Sequence, residues 1–459
     1  MPSRVLGFLL LRFRSGAGSS DSDVSEAFVM GKVSWRKAGA DQFDGSDADS
    51  VSSDSTTFSE PTMANETEHV NSIDFQLEKY IDALYEKRGS VRETALLGLA
   101  EAFEGQVLLP FTENKCITLL HQYLASIKKG SSKEACLASR TIGLLAITVG
   151  AGNKAHEIME ESIYPLSQAL VSGSDKTKKK AVIDCLALVT FIGANDLIET
   201  EGSLKIIWQV IYPKSGPNVG SVKKPDSAVL SSAISAWSFL LTTISSWRIN
   251  PDSWKESISF LYNLLEDPDR SVRIAAGEAL GLFFELGILD MNFQREDTNI
   301  DKLEREISKH GAFHHLQGLK AKILARACDL STEAGGKGTD KKNLNDQREL
   351  FQKFLDFVET GDCPETLLKI SRKQRFLTTS TWAQMLQLNF LKGFLGKGFL
   401  KHAQDNELLH DVFDFAQDRM GMLSTRKKIS KSDDKGWTQK MNKDRKLAQV
   451  LCSIFKLCM

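Results

Sequence analysis

Few residue combinations in this chain have the spacing that chemistry needs. His310-x-x-x-His314-His315 sets two imidazoles one helical turn apart, a separation at which a helix face can offer two metal ligands. No glutamate stands in the metalloprotease arrangement and no third ligand accompanies the pair, so ordinary surface histidines account for it. Gly393-x-x-Gly396-Lys397-Gly398 has the composition of a phosphate cradle. It lacks the Gly-x-x-x-x-Gly-Lys-Ser/Thr spacing, however, and follows a helical rather than a strand pattern. The residues therefore point to no catalytic site, no cofactor, no metal and no small-molecule substrate.

Basic clusters are more informative. Formal net charge is −1, which excludes a global affinity for nucleic acid, but the charge is unevenly spread. Asp21 to Glu68 is acidic and rich in Ser and Thr, whereas Arg426 to Lys446 carries nine basic residues against three acidic ones. Arg426, Lys427, Lys428, Lys431, Lys443, Arg445 and Lys446 can settle along a polyanion backbone or serve as a nuclear import signal. Arg372, Lys373 and Arg375 form a second candidate for phosphate contact. Lys176-Thr177-Lys178-Lys179-Lys180 opens a helix, where a solvated face explains it equally well. Trp437 alone interleaves an aromatic ring with the terminal cluster, which is thin support for base stacking.

The elements that position these residues repeat. Val91-Arg92-x-x-Ala95-x-x-Gly98-Leu99 and Val272-Arg273-x-x-Ala276-x-x-Ala279-Leu280 share one helix pattern, and three weaker copies lie between them. The small markers Ala95, Ala138, Cys185, Ala233 and Ala276 follow one another at steps of 43, 47, 48 and 43 residues. A period of roughly 40 to 47 residues is that of paired-helix HEAT or armadillo repeats, which stack into solenoids and hold partners rather than substrates. An all-α solenoid is expected, with regulatory proteins bound on one of its faces.

Ile73, Leu77, Tyr80, Ile81 and Leu84 have helical spacing, so order is expected from about Ser72, with Lys87-Arg88-Gly89-Ser90 as turn and N-cap. Helix pairs are expected at 110–129 with 132–149, 156–171 with 175–192, 195–211 with 226–244, and 252–265 with 267–286. Arg92 and Arg273 are expected to pair with acids in adjacent turns such as Asp267 or Asp269. The Pro- and Gly-rich loop 212–225 interrupts the fourth pair. Beyond Leu286 the period fails: 303–330 reads as one or two helices, 333–346 as a linker and 350–358 as helical. Residues 366–378 suit a small hairpin, and helices are expected around 382–394 and 406–415. The resulting division is an acidic, disordered tail (1–70), the repeats (71–360), a small, mostly helical C-terminal unit (361–420) and a basic tail (421–459).

The seven cysteines form no Cys-x-x-Cys pair, the usage of a reducing cytosol or nucleus. No apolar run reaches the ~18 to 20 residues that span a bilayer. Residues 1–20 carry Arg4, Arg12 and Arg14 without an acid, a weak organellar transit pattern. The alternative is that Met30-Gly31-Lys32 begins the working chain and residues 1–29 are an upstream extension.

Three runs, Lys87 to Leu96, Leu137 to Gly150 and Asp267 to Ala279, resemble the first domain of the interferon-related developmental regulator family. Trp382, Gly396, Gly398, His402, Asn406 and Phe413 resemble its C-terminal motif, with Thr381 where serine is expected and an atypical apolar finish over Val450 to Met459. The acidic head and the Met30 start are similar to plant members. The resemblance implies an armadillo-like fold without enzymatic activity, and two functional themes. One is transcriptional co-regulation through protein partners in the nucleus. The other is association with idle ribosomes or RNA in the cytoplasm, with Arg426 to Lys446 as the basic arm.

Overall fold

A computed structural model describes residues 64–213, 224–244, 251–289, 318–335, 340–370 and 375–417. His310, His314, His315, loop residues 214–223, Arg372, Lys373 and the whole of 426–446 lie outside the described residues.

The repeat region is a stack of antiparallel helix pairs. First helices are α1 (Ala64–Leu84), α4 (Cys116–Lys129), α6 (Asn153–Val171), α8 (Leu197–Ile211) and α10 (Pro251–Leu264). Second helices are α2 (Gly89–Gly105), α5 (Ser132–Val149), α7 (Lys176–Gly193), α9 (Ser227–Leu241) and α11 (Arg270–Glu285). A one-turn helix α3 (Leu109–Thr112) precedes α4, because Pro110 starts a helix that the 113–115 turn then ends. The expected single helix over 110–129 is thus two. Each second helix packs against the next, α2 on α5, α5 on α7, α7 on α9 and α9 on α11. All five markers are buried in this row, where small side chains let successive helices approach. A helix over 318–332 (α12) and α13 (Lys341–Thr360) follow, α13 packing on α11 as a sixth member of the row.

Side-chain caps mark most starts. Ser131, Asp175, Asp196, Asp226, Asp269 and Asp340 each accept a backbone N–H of the first turn, as N-caps do. Two boundaries differ from expectation here. Ser90 lies inside α2, which begins at Gly89 with no side-chain cap. The 333–346 linker is shorter than read, since Asp340 already caps α13. At the other end α1 begins at Ala64, ahead of Ser72.

The pairing of the arginines is also corrected. Arg92 makes a bidentate bond to Glu134 of the next repeat, at 2.7 and 2.9 Å, rather than to an acid in an adjacent turn. Arg273 meets Asp267 only through its backbone carbonyl (2.7 Å) and uses Gln347 (2.7 Å) and Glu333 (3.2 Å) as side-chain partners. The Asp267 carboxylate is taken by Lys224. Ser132 with Asp175 and Lys176 with Asp226 join successive second helices in the same way. Side chains about one repeat apart in sequence meet because stacking brings equivalent helix starts together.

The C-terminal segment does not extend the stack. A hairpin of β1 (Thr366–Lys369) and β2 (Arg375–Thr379) leads into α14 (Trp382–Leu395), a 3-10 turn over Gly396–Gly398, α15 (Phe399–Asp405) and α16 (Glu407–Val412). The chain then returns as β3 (Asp414–Gln417), antiparallel to β2 with Arg375 opposite Gln417. The expected helix over 406–415 therefore stops at Val412, and α15 is an additional short helix. α14 lies on α9 and α11, while the 3-10 turn and α15 reach α2, so the segment crosses the row of second helices against the order of the chain.

Candidate functional site

The crossing segment is fastened at both ends. At its start Trp382 is fully buried, its indole Nε1 donates to the Glu278 carbonyl at 2.8 Å, and its ring fills the space over Gly281. A Cβ on Gly281 would stand 2.2 Å from that ring, so only glycine leaves room. The Glu285 carboxylate accepts the backbone N–H groups of Trp382 (2.6 Å) and Ala383 (2.8 Å), adding a long-range anion to the N-terminus of α14. Thr381 caps the same helix through Gln384 N, the task a serine hydroxyl would perform.

At the far end His402 and Asn406 are buried together. His402 Nε2 lies 2.8 Å from the Phe103 carbonyl, so this nitrogen carries the proton, and Nδ1 accepts from Asn406 Nδ2 at 3.2 Å. Burial holds His402 below the ordinary imidazole value, in the neutral form this pattern requires. Asn406 also donates to the Ile147 carbonyl (3.0 Å) and caps α16 through Leu408 N (2.9 Å). A Cβ on Gly398 would stand 2.1 Å from the Glu104 carbonyl oxygen, so the turn rests directly on the end of α2. Gly396 has φ 54° and caps α14, and Phe413 is buried. Of the C-terminal residues singled out in the sequence, Trp382, Gly398, His402 and Asn406 thus anchor the segment on the repeats, while Gly396 and Phe413 shape the segment itself.

Between the anchors α14 packs by apolar contact on one flank and leaves a groove on the other. Phe390 stacks on Phe239 at 4.1 Å, and Phe394 enters the space above Gly143 beneath the Arg140 guanidinium. The groove, about 770 Å³, runs along α5, α7, α9, α11 and α13 with α14 as its wall. Its lining is mixed: Leu137, Ile274, Leu386 and Phe390 give it an apolar floor, and Arg140, Lys180, Asp184, Ser231, Ser235 and Glu278 place polar groups along the row, faced by Asn389 and by Asn343 and Asp346 of α13. Arg140 is engaged by Glu104 at 2.7 Å.

Two groove carboxylates, Asp184 and Glu278, are hydrogen-bonded by neutral partners. Asp184 accepts from Ser232 at 2.8 Å, and Glu278 accepts from Asn389 at 3.3 Å. Burial pushes Asp184 up to about 6, partly offset by Ser232 and by the Lys180 and Arg140 charges. Burial pushes Glu278 up to about 7, against the Asn389 bond. These positions escaped the sequence reading because acids are frequent on every helix. The available signal was an acid at an otherwise small or apolar second-helix position.

Of the polyanion candidates only Arg375 is described, half-buried at the start of β2. Lys176 is engaged by Asp226, and Lys180 is exposed at the groove rim. Among the described residues no group of three metal-ligating side chains occurs and no helix is long and apolar enough to cross a membrane. Cys116, Cys136, Cys185, Cys328 and Cys363 are free thiols, and burial raises Cys116 to about 11.

Fold and groove together define an α-solenoid of paired-helix repeats with a C-terminal segment folded back across its second helices. The chain belongs to the interferon-related developmental regulator family, whose model matches residues 44–359. Interferon-related developmental regulator 2 of Mus musculus is 27% identical, covering 76% of this chain and 74% of its own length. Interferon-related developmental regulator 1 of Homo sapiens is 26% identical, over 87% and 85%. A designed armadillo repeat protein of known structure covers 61% of this chain and 99% of its own, with 14% identity and a TM-score of 0.37.

Proposed function

We propose that this protein is a non-enzymatic interaction scaffold that regulates gene expression, acting as a transcriptional co-regulator through proteins held on the repeats. The observation that carries this reading is the open groove of about 770 Å³ along α5, α7, α9, α11 and α13, whose hydroxyl and amide groups can bond a peptide backbone. The relatives carry the name of developmental regulators, in keeping with a regulatory rather than a metabolic role. Its place of work is the nucleus together with the cytoplasm.

The test uses tagged full-length chain carrying Ser235→Arg, which fills the groove from a half-buried lining position on α9, beside unaltered protein. Chromatin-associated complexes that form with the unaltered chain and are lost with Ser235→Arg are the expected outcome. The same lysates are run on sucrose gradients, with Arg426→Glu, Lys427→Glu and Lys428→Glu as a third form. Co-migration with ribosomes that the charge reversals abolish, in the absence of any chromatin complex, would replace the proposal by a ribosome- or RNA-associated role for the basic segment.

A further inference from the structure

We propose that the groove takes an extended cationic segment of a partner protein, two of whose Lys or Arg side chains seat on Asp184 and Glu278. The inference rests on the reading of the groove as a protein-binding site and names the chemistry of its occupant. Neither carboxylate forms an ion pair among the described residues, and each is bonded only by a neutral hydroxyl or amide. A desolvated carboxylate in that state gains most from a cation delivered beside it; Lys180 and Arg140 act on Asp184 only through space, without an ion pair. The cations already in the groove do not meet this need. Arg140 on α5 is committed to Glu104, and Lys180 projects from the exposed rim of α7. No titratable side chain reaches the groove from α9 or α14, and α13 adds a third acid, Asp346.

Geometry sets the spacing. Asp184 is on α7 and Glu278 on α11, with α9 between them, so the two acids are separated by two helix-to-helix steps. At roughly 8 to 10 Å per step that is about 16 to 20 Å, or about five or six residues of extended chain. Ser231 and Ser235 of α9 lie in the interval and Asn389 stands opposite, placed to bond the backbone of a strand-like segment crossing between the two acids. A helix in the groove would instead satisfy its own backbone and leave these groups idle.

The probes are labelled synthetic peptides with two lysines about six residues apart, and analogues with glutamine or glutamate in their place. Binding to the full-length chain is followed by fluorescence anisotropy. The dibasic peptide is expected to bind at least about tenfold more tightly than the glutamine analogue, an advantage lost in Asp184→Asn/Glu278→Gln. A second readout separates a binding role from a structural one. Carboxylates whose folded values are raised weaken the protein as pH rises from about 4 through about 6 and 7. The double variant is therefore expected to melt higher than the unaltered chain above neutral pH. Acids with a structural task would melt lower on replacement, and that result overturns the proposal.

Equal binding of the glutamine and lysine peptides overturns the cationic occupant while leaving the protein-binding groove intact. Failure of every peptide to bind overturns the groove reading itself. If Arg426→Glu, Lys427→Glu and Lys428→Glu strengthen binding of the dibasic peptide about tenfold, the chain's own basic tail is the occupant, and the assignment to a partner falls.

Discussion

The repeats and the segment that crosses them are held by different kinds of contact. Each repeat meets the next through buried small markers and through polar pairs close to one period apart, such as Arg92 with Glu134 and Ser132 with Asp175. The segment is held by single bonds that span 104, 259 and 299 residues, from Trp382 to Glu278, Asn406 to Ile147 and His402 to Phe103. In each of these the repeat side contributes a backbone carbonyl, and the Glu285 carboxylate adds a side-chain contact at the start of α14. The difference teaches that a solenoid of near-neighbour interfaces acquires long-range unity from one strap.

Removing the strap's largest anchor tests the comparison most severely. Trp382→Ala deletes a fully buried indole and its bond to Glu278, a change expected to cost about 3 to 5 kcal/mol in chemical unfolding. Near-ultraviolet signals and proteolytic protection of α14 to α16 should go first while most far-ultraviolet helicity remains. Simultaneous loss of all helicity would erase the distinction between repeats and strap.

Ala276→Leu strikes where the two regions share a helix, because α11 packs on α9, on α13 and beneath α14. Overpacking this buried position is expected to cost about 1 to 3 kcal/mol, lowering the midpoint for repeats and segment alike. An effect confined to the segment would show that the row tolerates a larger side chain at its marker.

The smallest effect separates the anchors by pH. His402 is neutral in the fold with its value lowered by burial, so an unfolded chain, titrating near 6.5, takes up a proton first as pH falls. Stability associated with this anchor is complete above about pH 6.5 and declines below it. His402→Gln should flatten the dependence of the unfolding midpoint on pH between about 7 and 5, whereas Trp382→Ala should leave its slope unchanged.

How much of this was legible before the fold follows from contact range. Marker spacing, caps and helix pairs depend on neighbours within one repeat, and Asp175, Asp226 and Asp269 stand where aspartate at a helix start belongs. The hairpin over β1 and β2 was legible from its alternation. β3 was not, because its four residues become a strand only by pairing with β2 some forty positions earlier. Arg273 was assigned to the nearest acids in the chain, but its side-chain partners, Gln347 of α13 and Glu333 just after α12, lie sixty or more residues away. The groove was invisible for the same reason: Asp184, Ser235, Glu278 and Asn389 share no local pattern.

The amino-acid sequence by itself determined the class of the protein. Periodic small residues and local caps commit the chain to stacked helix pairs, since these preferences act within one or two turns and need no distant partner. Tertiary structure alone decided that Trp382, His402 and Asn406 act as anchors, and that a groove with two acids outside any ion pair runs beside α14. The physical reason is that a carbonyl at a helix end, or a carboxylate in a groove, acquires its role from what is packed against it.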